Sequence, residues 1–212
     1  MRKTTTVFFA IIVFAGCKKE IAVETLPPIT VTQTSKVTDY YPLTVGSYWI
    51  YHVYEIDTNL IDHYWTTDTI RIVSDTLLDE KKYYYFKGNY FGGPFSDFIT
   101  DSLDYIIYSD GTIILSNSNF TDTLRVRVIP GISTSYYKMF DHGRIVSVPA
   151  GTFPIIDREQ ISYYDNPNYP YGNPRTATRN YAKGVGMIKD RNYMDGSPKW
   201  LERRLVQYHI AE

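Results

Sequence analysis

From Asp39 to Glu212 no stretch of the chain reads as three turns of capped amphipathic helix. Short aromatic and β-branched runs recur instead between turn residues, at near-regular spacing, and that pattern restricts the fold to antiparallel strands. The plainest unit is "YIIYSDGTIIL", where Asp110-Gly111 separates two apolar runs and predicts a hairpin. "TLRVRVI" alternates, with Leu124, Val126 and Val128 on one face and Arg125 and Arg127 on the other. Residues 47–56, "SYWIYHVYEI", are apolar on both faces, as in a strand covered on both sides. Further strands are expected at about 66–74, 82–91, 144–148, 154–164, 175–182, 185–192 and 199–210, the last two joined by a turn at Asp195, Gly196 and Pro198. The expectation is an all-β single domain, residues 39–212, of about ten antiparallel strands forming a curved sheet, a sandwich or an incomplete barrel.

Composition enters where partners are concerned. The chain has 21 tyrosines, whose amphipathic rings suit half-buried pleated surfaces. From Cys17 onward it carries 20 basic against 23 acidic residues, a net charge of −3 with no basic cluster, which argues against nucleic acid as a partner.

At the N-terminus Arg2 and Lys3 precede "VFFAIIVF", Val7 to Phe14, an apolar run of eight. A bilayer-spanning helix needs about 20 apolar residues. The run is therefore read as a signal peptide over residues 1–16. Ala15 and Gly16 ahead of Cys17, the single cysteine, resemble the lipobox of bacterial lipoproteins, with Phe14 departing from the usual Leu. That resemblance implies cleavage before Cys17 and lipid on its thiol and amine, giving attachment to a membrane through Cys17. With Lys18 next rather than Asp, it also implies the outer membrane of a Gram-negative cell, on the periplasmic or the cell-surface side. No cysteine then remains for a disulfide, so the domain must rely on its own core. Residues 17–38 comprise this cysteine and a flexible tether around Pro27-Pro28, whose 21 residues after Cys17 reach roughly 70 Å when extended.

"PLTVGSYWIY" (Pro42 to Tyr51), "VPAGTF" (Val148 to Phe153), "YAKGVGMIK" (Tyr181 to Lys189) and the closing "LVQYHI" (Leu205 to Ile210) resemble small, uncharacterised β-rich lipoproteins of Gram-negative bacteria. The resemblance implies an open, strongly curved antiparallel sheet or incomplete barrel. In outline such sheets are similar to the lipoprotein-localisation carriers, which hold acyl chains in a hollow. It transfers no catalytic residues. Gly151, Gly184 and Gly186 are read as turn and bulge positions rather than a phosphate cradle.

Chemistry-bearing patterns are sparse. Ser135-Tyr136-Tyr137-Lys138 matches S-x-x-K without the S-D-N and K-T-G partners that complete such a site, and is taken as coincidence. His52, His63, His142 and His209 lack metal-ligand spacing, and His52 is read as a hydrogen-bonded core residue. No catalytic residue, metal site or cofactor is assigned, and the chain is expected not to be an enzyme. Candidate ligand contacts lie in two aromatic connections: Tyr163, Tyr164, Tyr169 and Tyr171 in "YYDNPNYPYGNP", and Tyr90 and Phe91 in "GNYFGGPF". Lipid, glycan or an envelope protein are the partners such rings suit. Four Asp-Ser/Thr-apolar triplets resemble an O-glycosylation acceptor of exported Gram-negative proteins, marking Thr69, Thr76, Ser102 and Thr123. The functional expectation is a membrane-anchored envelope lipoprotein with a non-enzymatic binding or scaffolding domain. Two alternatives stay open: a carrier of a hydrophobic ligand in the hollow of a curved sheet, and a hydrolase built from scattered residues.

Overall fold

The structure, a computed structural model, describes residues 35–141 and 143–212. The signal segment, Cys17, the first part of the tether and His142 lie outside the described residues. The strands are β1 (Tyr48–Ile56), β2 (Asp62–Leu78), β3 (Lys81–Tyr90), β4 (Gly93–Ser102), β5 (Tyr105–Tyr108) and β6 (Ile113–Ser116). After an eight-residue connection follow β7 (Arg125–Ile129), β8 (Ser133–Phe140), β9 (Ile145–Val148) and β10 (Gly151–Tyr164), then β11 (Arg175–Ala182), β12 (Gly186–Tyr193) and β13 (Trp200–His209). One 3₁₀ turn, Val37–Asp39, precedes them, and no helix among the described residues is long and apolar enough to cross a membrane. The turn brings Val37 into the core at 2 % exposure, two residues before the expected start of the domain.

All pairings are antiparallel, in the order β6-β5-β4-β3-β2-β1-β13-β12-β11-β10-β8-β7, with β9 paired to the start of β10. The first strand thus pairs with the last in mid-sheet, and β6 and β7, consecutive in the chain, form opposite edges. Twelve strands laid flat would separate those edges by about 53 Å. Residues 117–124 must bridge them, and eight residues reach no more than about 30 Å. The sheet therefore curls until its edges face each other, giving an incompletely closed barrel. At the end of that connection Leu124 donates its N–H to the Tyr137 carbonyl at 2.8 Å, extending the β7–β8 ladder by one bond. The Asp110 carboxyl, at the tip of the β5–β6 hairpin, is held below its usual range first by the Thr112 N–H and also by the charge of Arg125.

Inward residues fill the interior. On β1 these are Trp49, Tyr51 and Val53, while Tyr48, Ile50, His52 and Tyr54 face outward and are half-buried. The strand expected to be covered on both sides is thus covered on one; its outer rings shelter each other instead. His52 sits edge-on to Tyr64 at 5.5 Å and to Tyr54 at 6.4 Å, on the outer surface rather than in the core. Trp49 stacks on Phe86 and donates its indole N–H to the Val185 carbonyl at 2.7 Å; Tyr51 donates to the Met187 carbonyl at 2.8 Å.

The core also encloses ion pairs. Arg203 is fully buried, its Nε 3.3 Å from Asp68 Oδ2 and its guanidinium 4.2 Å from the Tyr51 ring centre and 4.7 Å from that of Tyr90. Arg179 meets Asp190 at 3.2 Å, and Tyr90 donates to Asp190 at 2.7 Å. Asp68 also fixes the β3–β4 turn. Phe91 and Gly92 have φ of 49° and 75°, the two left-handed positions of a type I′ hairpin, and donate their N–H groups to the two Asp68 oxygens at 2.7 and 2.9 Å.

Candidate binding cleft

Three connections meet at one end of the barrel: the β7–β8 turn at 130–132, the loop 165–174 and the β12–β13 turn at 194–199. Between them opens a cleft of about 530 Å³. The inward stripe of each strand changes character on the way up to it. On β8, Met139 and Tyr137 are core, and Ser135 and Ser133 above them line the cleft; on β10, Ile156 is core and Gln160 lines the cleft.

The polar floor is already cross-linked. Ser135 Oγ lies 2.6 Å from Ser162 Oγ, which lies 2.5 Å from the Tyr193 hydroxyl, and Gln160 Nε2 donates to Tyr193 at 2.9 Å. Tyr164 and Tyr169 form one wall, stacked at 3.7 Å and 6°. Asn173 clamps the base of the loop by exchanging hydrogen bonds with the Tyr164 backbone at 2.9 and 3.0 Å. The Tyr169 hydroxyl accepts from Gly196 N–H at 3.3 Å, tying the loop to the opposite turn. That turn is held in place by Arg175, which donates to the carbonyls of Ser197 at 2.8 Å and Met194 at 3.1 Å and lies over the Tyr193 and Trp200 rings. The Tyr164 hydroxyl is buried, and its ionisation is pushed well above the ordinary value, first by burial and then by Tyr193.

The residues singled out from sequence separate into three groups. Tyr164 and Tyr169 line the cleft, with Tyr171 edge-on behind Tyr169 at 5.5 Å. Tyr163 points to the other face of β10, 49 % exposed and edge-on to Tyr136. Tyr90 and Phe91 belong to the interior ion cluster, one through its hydroxyl and the other through its N–H. Ser133, Ser135, Gln160, Asn192 and Tyr193 were not anticipated. Their available signal is the switch from apolar to polar along an inward strand stripe. Ser135 and Lys138 lie on opposite faces of β8, so they do not converge on one reacting atom.

The four Asp-Ser/Thr-apolar triplets also differ. Thr69 is half-buried inside β2, followed by buried Ile70, and its Asp68 is the partner of Arg203. Thr123 is exposed but Leu124 packs against the core. Thr76 and Ser102 are followed by leucines exposed at 70 % and 91 %, Leu77 and Leu103. His63 Nε2 and Asp57 Oδ2 are 3.0 Å apart at the surface, and among the described residues no cluster of three metal-ligating side chains occurs.

No protein-family model and no curated protein matches the chain. Two crystal structures are similar to it in overall course. One is of a protein from Parabacteroides distasonis assigned as a lipoprotein, with a TM-score of 0.49. The other is of a protein from Bacteroides fragilis assigned as exported and having a YmcC-like fold, with a TM-score of 0.47. Each is 11 % identical, and the match covers 80 % of this chain and 98 % of the other.

Proposed function

We propose that the protein is an envelope lipoprotein, held at the outer membrane through Cys17, whose barrel is a non-enzymatic binding module acting through the cleft at its mouth. The observation that carries this reading is a cleft of about 530 Å³ whose walls and floor are braced before any ligand arrives. That volume is within the range of small-molecule and side-chain pockets, and mouths of barrels are preferred places for them. The position suits an anchored protein. The described chain enters at the other end of the barrel, where Asn117, just past β6, donates to the Ser35 carbonyl. The cleft thus lies at the end of the barrel opposite the one where the described chain begins.

The filled interior favours surface recognition over carriage of a hydrophobic ligand. Between Tyr41, Trp49, Phe86 and Met187 the barrel holds a cavity of about 30 Å³, room for one water and not for an acyl chain. Native mass spectrometry of the mature chain with Cys17→Ser, exported to a periplasm and purified without detergent, tests the reading. A bound species kept by the wild type and lost in Tyr169→Ala supports the cleft. A lipid mass retained by both proteins would instead support the carrier.

A further inference from the structure

The two edges of the sheet are finished differently. In β6, Ile114, Leu115 and Ser116 are exposed by 2 %, 0 % and 0 %. In β7, Val126 and Val128 are exposed by 52 % and 61 %, and Arg127 between them, on the other face, is exposed as well. Among the described residues no strand pairs with the outer side of β7. A bare edge strand is a template for another strand, which proteins ordinarily cover or blunt.

Two recesses flank this edge. Its inner face, through Arg127 and Ile129, forms part of the mouth cleft. On its outer face Val126 and Val128 stand opposite Tyr136 and Thr134 of β8. Those two, with Lys138, Ile161 and Tyr163, line a second depression of about 620 Å³. A strand added to β7 would send alternate side chains toward one recess and the other. This is the arrangement by which strand addition gains affinity from the main chain and selectivity from pockets on both faces.

Charge and ring geometry select the occupant. Arg125 and Arg127 point inward, and no carboxylate of the described residues lies within ion-pair distance of either, the Asp110 carboxyl acting on Arg125 only at longer range. A second copy pairing through β7 would set arginine against arginine, which opposes self-association. A sugar would need free aromatic faces, yet Tyr164 and Tyr169 cover each other at 3.7 Å. We propose that the cleft and the β7 edge together take an extended segment of a partner protein, alternating acidic residues toward Arg125 and Arg127 with aliphatic residues beside Val126 and Val128. This rests on the cleft being a binding site and names what it binds.

The test uses the mature chain with Cys17→Ser and a dye-labelled peptide of alternating valine and glutamate. Saturable binding is expected, with slowed amide exchange confined to Arg125–Ile129 and its neighbours. N-methylation of every second peptide nitrogen in the phase facing β7 should weaken binding at least tenfold, and in the opposite phase should leave it unchanged. Arg127→Glu, at an exposed position that leaves the fold intact by circular dichroism, should lose the glutamate peptide and gain a lysine-valine counterpart. Binding indifferent to N-methylation, or without protection of β7, overturns strand addition. A neutral glucose hexasaccharide that binds in a Tyr169-dependent way while the peptide does not would keep the cleft as a site and remove the polypeptide partner. Failure of the peptide at millimolar concentration also ends this proposal, while the co-purification result decides the cleft separately.

Discussion

The tyrosine-lined interior makes the domain sensitive to alkali in a way its size alone would not. Tyr41, Tyr51, Tyr90 and Tyr181 all have ionisations raised above the ordinary value of 10.0, with burial the leading cause in each. Arginines lower each of the four again, Arg203 for Tyr51 and Arg179 for the others, without overcoming burial. Below pH 10 these phenols are protonated whether the chain is folded or not, so they add no pH dependence. Above it the unfolded chain releases protons that the folded chain keeps, and stability falls as pH rises. By pH 11 a fully buried phenol costs about 1.4 kcal/mol. Tyr51, 2 % exposed and strongly shifted, counts in full; Tyr41 and Tyr90, half-buried, count in part, and Tyr181 adds to the fall in the same direction. The sum is roughly 2–4 kcal/mol at pH 11 before Tyr181 is added, against a typical total of about 5–15 kcal/mol. Cooperative unfolding between about pH 11 and 12 is therefore expected. Tyrosinate absorbance and far-ultraviolet circular dichroism, followed together, check it: the buried group should ionise only as the sheet is lost. Tyr51→Phe should flatten the fall of stability by about 1.4 kcal/mol per pH unit above pH 10. If all 21 tyrosines titrate in one smooth step near pH 10 with the dichroism unchanged, the interior is more accessible than this reasoning requires.

Three further outcomes follow from the core and surface. Asp68→Asn leaves the fully buried Arg203 without its counter-charge and should cost about 3–5 kcal/mol in urea unfolding, while adding Arg203→Met should restore most of the loss. Gly88→Ala would place a Cβ 1.8 Å from the Thr69 carbonyl oxygen and 2.9 Å from Ile70 Cα, both backbone; a loss of about 3 kcal/mol or more in the same assay, or no folded protein, is expected. Fragment-ion mass spectrometry of peptides from protein taken from its source cell should locate any O-glycan at Thr76 or Ser102 and leave Thr69 bare, and a glycan on Thr69 would refute the role given to accessibility.

The fold was legible where side-chain period and turn chemistry coincided, and obscure where they parted. β11 runs over 175–182, as the spacing of strands and turns predicts, and Asp110-Gly111 sits in the hairpin it signals. β4 was hidden because its turn uses Phe91 in a left-handed conformation. Sequence favours Asn or Gly there, and the stabilising partner, Asp68, is 23 residues away in the chain. β8 was hidden because its inward residues pass from Ser133 and Ser135 to Tyr137 and Met139, so no single polarity marks the face. The same mixing conceals the cleft. Its walls come from separate strands whose inward positions turn polar only near the mouth, and whether such positions meet is decided by register, not by composition. What the tyrosine-rich loop conveyed was the place of the cleft and two of its rings. The selectivity we propose for it lies in the bare edge of β7, and that edge is recognisable only once the sheet order sets β6 and β7, joined by eight residues, on opposite sides of the opening. The expected response to the Arg127→Glu charge swap, with its exchange of glutamate for lysine peptides, follows from that placement alone.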